Sequence, residues 1–515
     1  MPGIRITPGP LALLVIGGLV LSGPGLCAQE PAPLRLALAG PRVPVARLCP
    51  HLYEGGFAVK TLMFETLVKR DAEGRIIPGL AVSWEFLNGG KSAILNLRKG
   101  AVFHDGTPVN AAMVRWNIQC WAGRPMHSWL PAARHIKQVT VLSPDRLRVD
   151  MDQAYALLPD FCSMNPTGIL GGGSVNAKGY YVKPVGSGTF KFLQARDEGR
   201  LLCLTRFRAG RPAAGAEGRL DVVIFPEDDP DAAVDALLEG KVDLVVDTWL
   251  TRVARARIAS LEKSPDFRVI EGPGSPVMVL QFNLLNGPAS DRELRVKIRS
   301  LIDRDALIRT IEHGHADPCY SWAAPTVKVW PRSRFRAAPA KAEESPPINL
   351  EAPLRLLIEK GKARVAEALP HVVKQLERGG LAVKVVALDG ADHYRALASG
   401  EYDVQLDRTF GVPYDPYLSL VYRLMPPEGA ESSRSGAPAG AFVELRKLVD
   451  KVERLTDIDD RIEVYRKIQD LMDREAAVIP LYVARRVAVV RADLEPPRFD
   501  HDVYRLDLEP VMASR

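Results

Sequence analysis

Cysteine is scarce in this chain, six in 515 residues, and no two of them form a CxxC pair. That excludes the zinc-ribbon and thioredoxin-type readings, which need thiols at short fixed spacing. Signatures of catalysis are missing as well: there is no GxxxxGK(S/T) phosphate loop, no HExxH and no G-x-S-x-G elbow. Gly171-Gly172-Gly173 lacks dinucleotide-binding spacing and reads as a loop. His313-Gly314-His315 is the one close histidine pair, and residues two apart on a helix face different directions, so it makes a poor metal site. No Lys/Arg tract is interleaved with aromatics. The 68 basic and 62 acidic residues are interspersed, so no nucleic-acid partner is expected. The one long apolar run, Leu11–Leu21, is too short to span a bilayer and has the length of a secretory core segment.

What remains is the composition of a soluble globular chain, 47% hydrophobic and 25% charged, long enough for two lobes with full cores. Arg5 before the apolar run and Ser22–Gly25 after it mark residues 1–28 as a signal peptide, cleaved after Ala28, with export to the periplasm. A lipid anchor at Cys27 is disfavoured, because Leu26 stands where a lipoprotein signal carries Gly or Ala. Cleavage leaves cysteines at 49, 120, 162, 203 and 319, an odd count for which buried thiols are the simplest account.

Residues 34–39 (LRLALA) read as a first strand, and Phe57–Val68 carries apolar residues at helical spacing. Leu97–Asn117 (LRKGAVFHDGTPVNAAMVRWN) holds the richest local signal. Leu95 and Leu97 alternate with polar neighbours, Asp105-Gly106 supplies a tight turn, and Thr107-Pro108 stays extended. Asn110 then caps a helix opening at Ala111. His104 and Asp105 read as architecture within this unit rather than as chemistry.

A near-duplicate organises the rest. Residues 240–249 (GKVDLVVDTW) and 400–410 (GEYDVQLDRTF) each follow a helical segment, run as a short buried strand and end in an aromatic. Asp243 matches Asp403, and Asp247 matches Asp407. Around the second copy, Leu354–Ile358, Ala363–Leu376, Ala382–Leu388, Tyr394–Leu397 and Tyr402–Leu406 alternate strand and helix, which implies parallel β-α-β units. Pro370 predicts a kink or break in the first of these helices. Two similar α/β lobes follow, and ligands in such sheets bind beyond the carboxyl ends of the strands. Asp247-Thr248-Trp249 and Asp407–Phe410 sit at such ends.

LRKGAVFHDGTPVNAAMV, KPVGSGTFKF, ALLEGKVDLV, ELRVKIRSLIDRDALI, HGHADP and DREAAVIPLYVA, in this order, resemble the bacterial solute-binding protein family 5, which serves peptide and nickel ABC importers. The resemblance covers essentially the whole mature chain. It implies an α/β bilobal fold of periplasmic-binding-protein type II, two lobes joined by a two-crossing hinge, with the ligand enclosed between them. It also implies delivery to an inner-membrane permease, no catalysis, no cofactor and a monomer. On this basis residues 29–275 form lobe I with an inserted subdomain, 276–484 form lobe II and 485–515 return to lobe I. The crossings are expected near Gly272–Asn283 and Ile479–Val490.

Within the family, Pro50–Tyr53 with Glu65–Lys69, Met126–Leu130 and Arg408–Pro416 (RTFGVPYDP) are similar to the nickel-binding branch. The matching positions there enclose a metal chelate, which implies that Tyr53, Trp129, Phe410 and Tyr414 line the pocket; core packing is their other account. The arginines that clamp chelator carboxylates in that branch fall on Met126 and Asn165 here, with Arg124 two residues from the first. The metal-facing histidine would fall near Pro427–Gly429, where this chain has none. Methionine and asparagine imply a softer or less anionic ligand than a bis-carboxylate chelate. A short peptide is the alternative ligand. Asp415 would then pair with its amino terminus, as an acidic residue in a similar context does in peptide-binding relatives, or would hold the turn before Pro416. Readings from other classes are an exported hydrolase, for which Ser187 and His104 are the residues to test, and a ligand sensor with a partner other than a permease.

Overall fold

The computed structural model describes residues 32–52, 55–71, 74–122, 131–208, 218–226, 229–248, 253–333, 350–411, 415–421, 440–499 and 502–515. Among the described residues two sheets carry the architecture. The first has seven strands, in the order Phe267–Gly272, Arg486–Arg491, Leu244–Val246, Leu34–Ala39, Arg219–Phe225, Leu201–Arg206, Phe190–Arg196. The second has six, in the order Ala316–Pro318, Val478–Ala484, Met278–Phe282, Val404–Arg408, Leu354–Glu359, Val383–Leu388. In each sheet one strand, Leu34–Ala39 at the centre of the first and Leu354–Glu359 next to the edge of the second, has parallel neighbours on both sides, and the remaining pairs are antiparallel. Parallel pairing buries both faces of a strand, so these segments read as nearly continuous apolar runs. In the first sheet Leu36, Leu244 and Val490 pack in one core and Ala37, Val245 and Val489 in another, as period-two alternation requires.

The near-duplicate is structural. Asp243 accepts from the Arg35 backbone N–H at 2.8 Å and from its guanidinium at 3.2 and 2.8 Å. Asp403 accepts from the same three donors of Arg355 at 2.7, 3.1 and 2.8 Å. The register agrees as well: Leu36 pairs Leu244 in one lobe and Leu356 pairs Val404 in the other. Each copy ties the strand that has two parallel neighbours to one of those neighbours with one arginine-carboxylate clamp.

Between Gly272 and Met278 the chain leaves the seven-stranded sheet for the six-stranded one, and between Ala484 and Arg486 it returns. The crossings touch: a Cβ added to Gly274 would meet the Ala484 carbonyl oxygen at 2.0 Å. A separate four-stranded antiparallel sheet (Ala81–Leu87, Ser92–Leu97, Arg146–Met151, Ile136–Ser143) is inserted in the chain between Leu34–Ala39 and Phe190–Arg196. Its Leu95, Leu97, Leu147 and Val149 share one core with Trp322, Trp330, Tyr465 and Leu471 from the other half of the molecule. No helix among the described residues is long and apolar enough to cross a membrane.

The stretch around His104 folds as strand, turn and capped helix. Asn110 Oδ1 accepts from the Met113 N–H at 2.9 Å at the start of the helix Ala111–Trp121. His104 is buried, accepts from the Gly186 N–H at Nδ1 (3.3 Å) and donates from Nε2 to the Gly188 carbonyl at 3.0 Å. Both ring nitrogens are taken by the backbone on either side of Ser187, so the ring holds that loop in place. Gly186 is required there, because a Cβ would sit 2.0 Å from the Met63 carbonyl oxygen.

Two expectations need correction. The first helix spans Phe57–Met63 and does not continue to Val68, because the loop anchored by His104 ends it: the Gly188 N–H donates to the Met63 carbonyl at 2.9 Å. Val68–Arg70 is instead a strand. The helix Ala363–Arg378 runs through Pro370 without a break, held by the buried stripe Val365, Ala368, Val372 and Leu376. The five described cysteines are all buried; Cys162, Cys203 and Cys319 are thiols, and burial pushes Cys162 up to about 12 and Cys319 up to about 11.

Burial pushes His104 down from 6.5 to about 4 despite its hydrogen bond to Gly188. The unfolded chain therefore takes up a proton below pH 6.5 that the folded chain refuses until about pH 4. Stability is full above that window and falls as pH drops through it, by about 3 kcal/mol in total. Urea unfolding of the wild type and His104→Gln at closely spaced pH values checks this. The variant is expected to start less stable and to lose the part of the slope between pH 6.5 and 4.

Candidate functional site

The parallel strands of both sheets end on the same side of the hinge, and the chain leaves them there as loops and helix starts. Leu38 and Ala39 end the strand Leu34–Ala39 of the first sheet and Gly40 and Pro41 follow it, Thr248 follows Leu244–Val246, and Arg364 lies in the first turn of the helix after Leu354–Glu359. Arg408 closes Val404–Arg408. Two cavities open between these ends and meet at Thr248. One has about 390 Å³ of empty space, open solvent included, with apolar walls from Leu38, Val43, Phe57, Val59 and Tyr504. The other, about 450 Å³, is lined by Gly274, Pro276 and Met278 of one crossing, Tyr482 and Arg485 of the other, and Glu312, Arg364, Arg408 and Arg486.

The charges around the second cavity come from both lobes. Asp247 is fully buried and accepts from Arg255 Nη2 and the Val253 N–H at 2.6 Å and from the Val487 N–H at 3.0 Å. Burial pushes its carboxyl up, but Arg255, Arg364 and the Val253 N–H outweigh that and hold it below the ordinary range. Arg255 also reaches across to Glu312 at 3.2 Å, and Arg364 reaches back to Asp247 at 3.7 Å. Both are ion pairs between the seven-stranded and six-stranded halves. Arg485, between the two crossing strands, binds Glu271 at 2.8 Å and Asp317 at 2.7 Å. His315 pairs with Glu271, so the His-Gly-His motif is part of the hinge. Arg408 is half-buried, and desolvation together with the Arg364 charge pushes it down to about 10. No group of three or more His, Cys, Asp or Glu able to hold a metal occurs among the described residues.

Of the residues singled out from the sequence, Tyr53, Arg124, Met126, Trp129 and Tyr414 lie outside the described residues. Asn165 is buried in the short turn Asn165–Thr167, which packs on the helix Phe57–Met63 whose first turn lines the apolar cavity. Its Nδ2 is buried with no hydrogen-bond partner among the described residues. Phe410 is half-buried just beyond Val404–Arg408, its N–H bonded to Ser419 Oγ at 2.9 Å and its ring against the large core. Asp415 caps the short helix Pro416–Ser419, accepting from the Tyr417 N–H at 2.9 Å and from the Tyr465 hydroxyl. Its other oxygen faces Arg461 at 3.9 Å, and Arg461 is shared with Asp160 at 3.2 Å. Burial and the neighbouring Asp160 push Asp415 up. Arg364, Arg408 and Arg486 were not singled out from the sequence. The signal for them was the strand-end position of the second duplicate, which ends at Arg408, but nothing local marks which side chains turn inward.

Asp247 and Asp407 occupy matching positions with different duties. Asp407 meets Lys362 at 3.0 Å, and that lysine also reaches Glu359 at 2.7 Å. Asp247→Asn strips Arg255 and Arg364 of their shared counter-charge in a dry site and is expected to cost about 3–5 kcal/mol. Asp407→Asn is expected to cost less than half as much, because Lys362 keeps Glu359. Denaturant unfolding of the two variants side by side checks the asymmetry.

Comparison with known proteins places this geometry. Residues 75–428 match the family model of the bacterial extracellular solute-binding proteins, family 5 Middle. The chain is 23% identical over 498 residues to the nickel-binding periplasmic protein of Escherichia coli strain K12, covering 90% of this chain and 91% of that one. It is 23% identical over 519 residues to the dipeptide-binding protein of Pseudomonas aeruginosa, covering 92% and 93%. The crystal structure of NikA from Brucella suis in complex with Fe(III)-EDTA shares the fold, with a TM-score of 0.79 at 22% identity over 92% of this chain and 98% of that one. With two α/β lobes, two crossings and a cleft at the strand ends, the chain belongs to the bacterial extracellular solute-binding proteins of family 5.

Proposed function

We propose that this chain is the periplasmic solute-binding subunit of an ABC importer, which captures a metal chelate or a short peptide between its lobes and delivers it to an inner-membrane permease. The observation that carries this is the pair of cavities meeting at Thr248, one apolar and one basic, built from both lobes beside the hinge. Apolar walls with a few convergent polar groups suit a small solute. Guanidiniums and hydroxyls bind carboxylates, which chelates and peptides both carry, and they are not metal ligands. A metal would therefore arrive already chelated. The likeness to a nickel-binding and to a dipeptide-binding protein supports both solutes. Tyr53, Trp129, Phe410 and Tyr414 are proposed as walls, with Arg124, Met126, Asn165 and Asp415 as polar neighbours. Residues 1–28 are proposed as the export signal, 29–275 with 485–515 as lobe I and 276–484 as lobe II. The protein is proposed to act as a monomer and without catalysis.

Thermal unfolding of the mature chain tests this with Ni²⁺ alone, Ni²⁺ with excess histidine, and pooled di- to pentapeptides. A ligand at a hundred times its dissociation constant stabilises by about 2.7 kcal/mol, enough to raise the midpoint visibly. A rise with Ni²⁺ and histidine together, but not with Ni²⁺ alone, identifies a chelate. A rise with peptides alone identifies a peptide carrier. No rise in any arm overturns this choice of solutes.

A further inference from the structure

Away from the hinge the two halves of the chain meet a second time. Gln153–Phe161 belongs to the stretch between strands Leu34–Ala39 and Phe190–Arg196 of the first sheet. Glu453–Tyr465 belongs to the stretch between Val404–Arg408 and Val478–Ala484 of the second. The Ala156 N–H donates to the Glu453 carbonyl at 2.8 Å, and Gln153 Nε2 donates to Glu453 Oε1 at 3.0 Å. Glu453 Oε2 is held from its own half by the Tyr417 hydroxyl at 2.8 Å. Beside these bonds four buried charges alternate in sign: Arg70 meets Asp160 at 2.5 Å, Asp160 meets Arg461 at 3.2 Å, and Arg461 faces Asp415 at 3.9 Å. Tyr155, Leu157 and Phe161 from one half share a core with Val452, Val464 and Tyr465 from the other.

Each half holds a neutral pair of its own, Arg70 with Asp160 and Arg461 with Asp415, and the Asp160–Arg461 contact joins the two. Docking therefore desolvates two matched pairs rather than four isolated ions, which lowers its cost. A slip that withdraws Arg461 leaves the two carboxylates facing each other, so the charges favour one register. Parting the halves exposes apolar core and breaks a backbone hydrogen bond. Every partner in these contacts is a protein group. We propose that Asp160, Arg461 and Glu453 form a latch that holds the halves together without a solute, so that the ligand-free chain rests closed. This rests on the solute-binding reading and adds a control on entry to it: a solute reaches the cleft only when the latch opens. The apparent affinity for any solute is then lowered by the fraction of molecules in which the latch is open.

Hydrogen exchange of the ligand-free mature chain tests this, with mass spectrometry and fragmentation resolving the Ala156 amide. That amide bonds across the two halves, so its protection reports their opening. It is expected to exchange at least a hundredfold more slowly than in the urea-unfolded chain. Asp160→Asn is expected to speed it at least tenfold, while the strands Leu34–Ala39 and Leu354–Glu359 keep their protection. If that variant does not fold, Gln153→Ala, which removes the side-chain bond to Glu453, is expected to speed it at least threefold. Exchange of the wild-type amide at the unfolded rate would overturn the latch, and so would an unchanged rate in the folded variant. No arm needs a solute. Fast exchange in a chain that peptides or nickel–histidine still stabilise discards the latch and keeps the function. Slow exchange in a chain that none of them stabilises keeps the latch and discards that choice of solutes.

Discussion

The structure turns on one buried carboxylate. Asp247 has no contact with solvent, and its neighbours come from three separate parts of the chain: Val253 and Arg255 beside it, Val487 from the returning crossing, and Arg364 from the other lobe. A charge in such a place is tolerated only when its partners are all present, because the desolvation penalty is several kcal/mol for each ion. A buried ion pair adds little net stability over a well-packed apolar pair, so the network matters for geometry more than for strength. Among the described residues the chain passes between the two sheets twice, and the Arg255–Glu312 and Arg364–Asp247 pairs bridge the lobes beside those crossings.

The two copies of the repeat show how one unit was put to two uses. Both keep the clamp between two parallel neighbours, with matching donors and nearly matching distances. That clamp is structural, since it sits inside each lobe and pins the register of a pair whose hydrogen bonds alone are few. The strand-end aspartates diverged. Asp407 faces a lysine within its own lobe, whereas Asp247 faces arginines from both. Asp247 is thus the copy that links the lobes, anchored by Arg255 of its own lobe and reached by Arg364 from the other.

Local features were legible in the sequence, and long-range ones were not. The strands, the capped helix after Asn110 and the matched aspartates follow from periodicity, turn residues and capping, which act over a few residues. The end of the helix at Met63 was not legible, because it is set by a loop more than a hundred residues later in the chain, brought there by His104. The helix continues past Pro370 without the break that the proline suggested, because burial of its apolar stripe outweighed a local preference. The pocket aromatics named from family resemblance fall largely outside the described residues, and the arginines that line the basic cavity carry no motif. Asp160 and Arg461 are separated by 301 positions, so no window on the sequence brings them together. The family signature itself was legible because it is a set of short pieces in a fixed order along the chain, each readable locally.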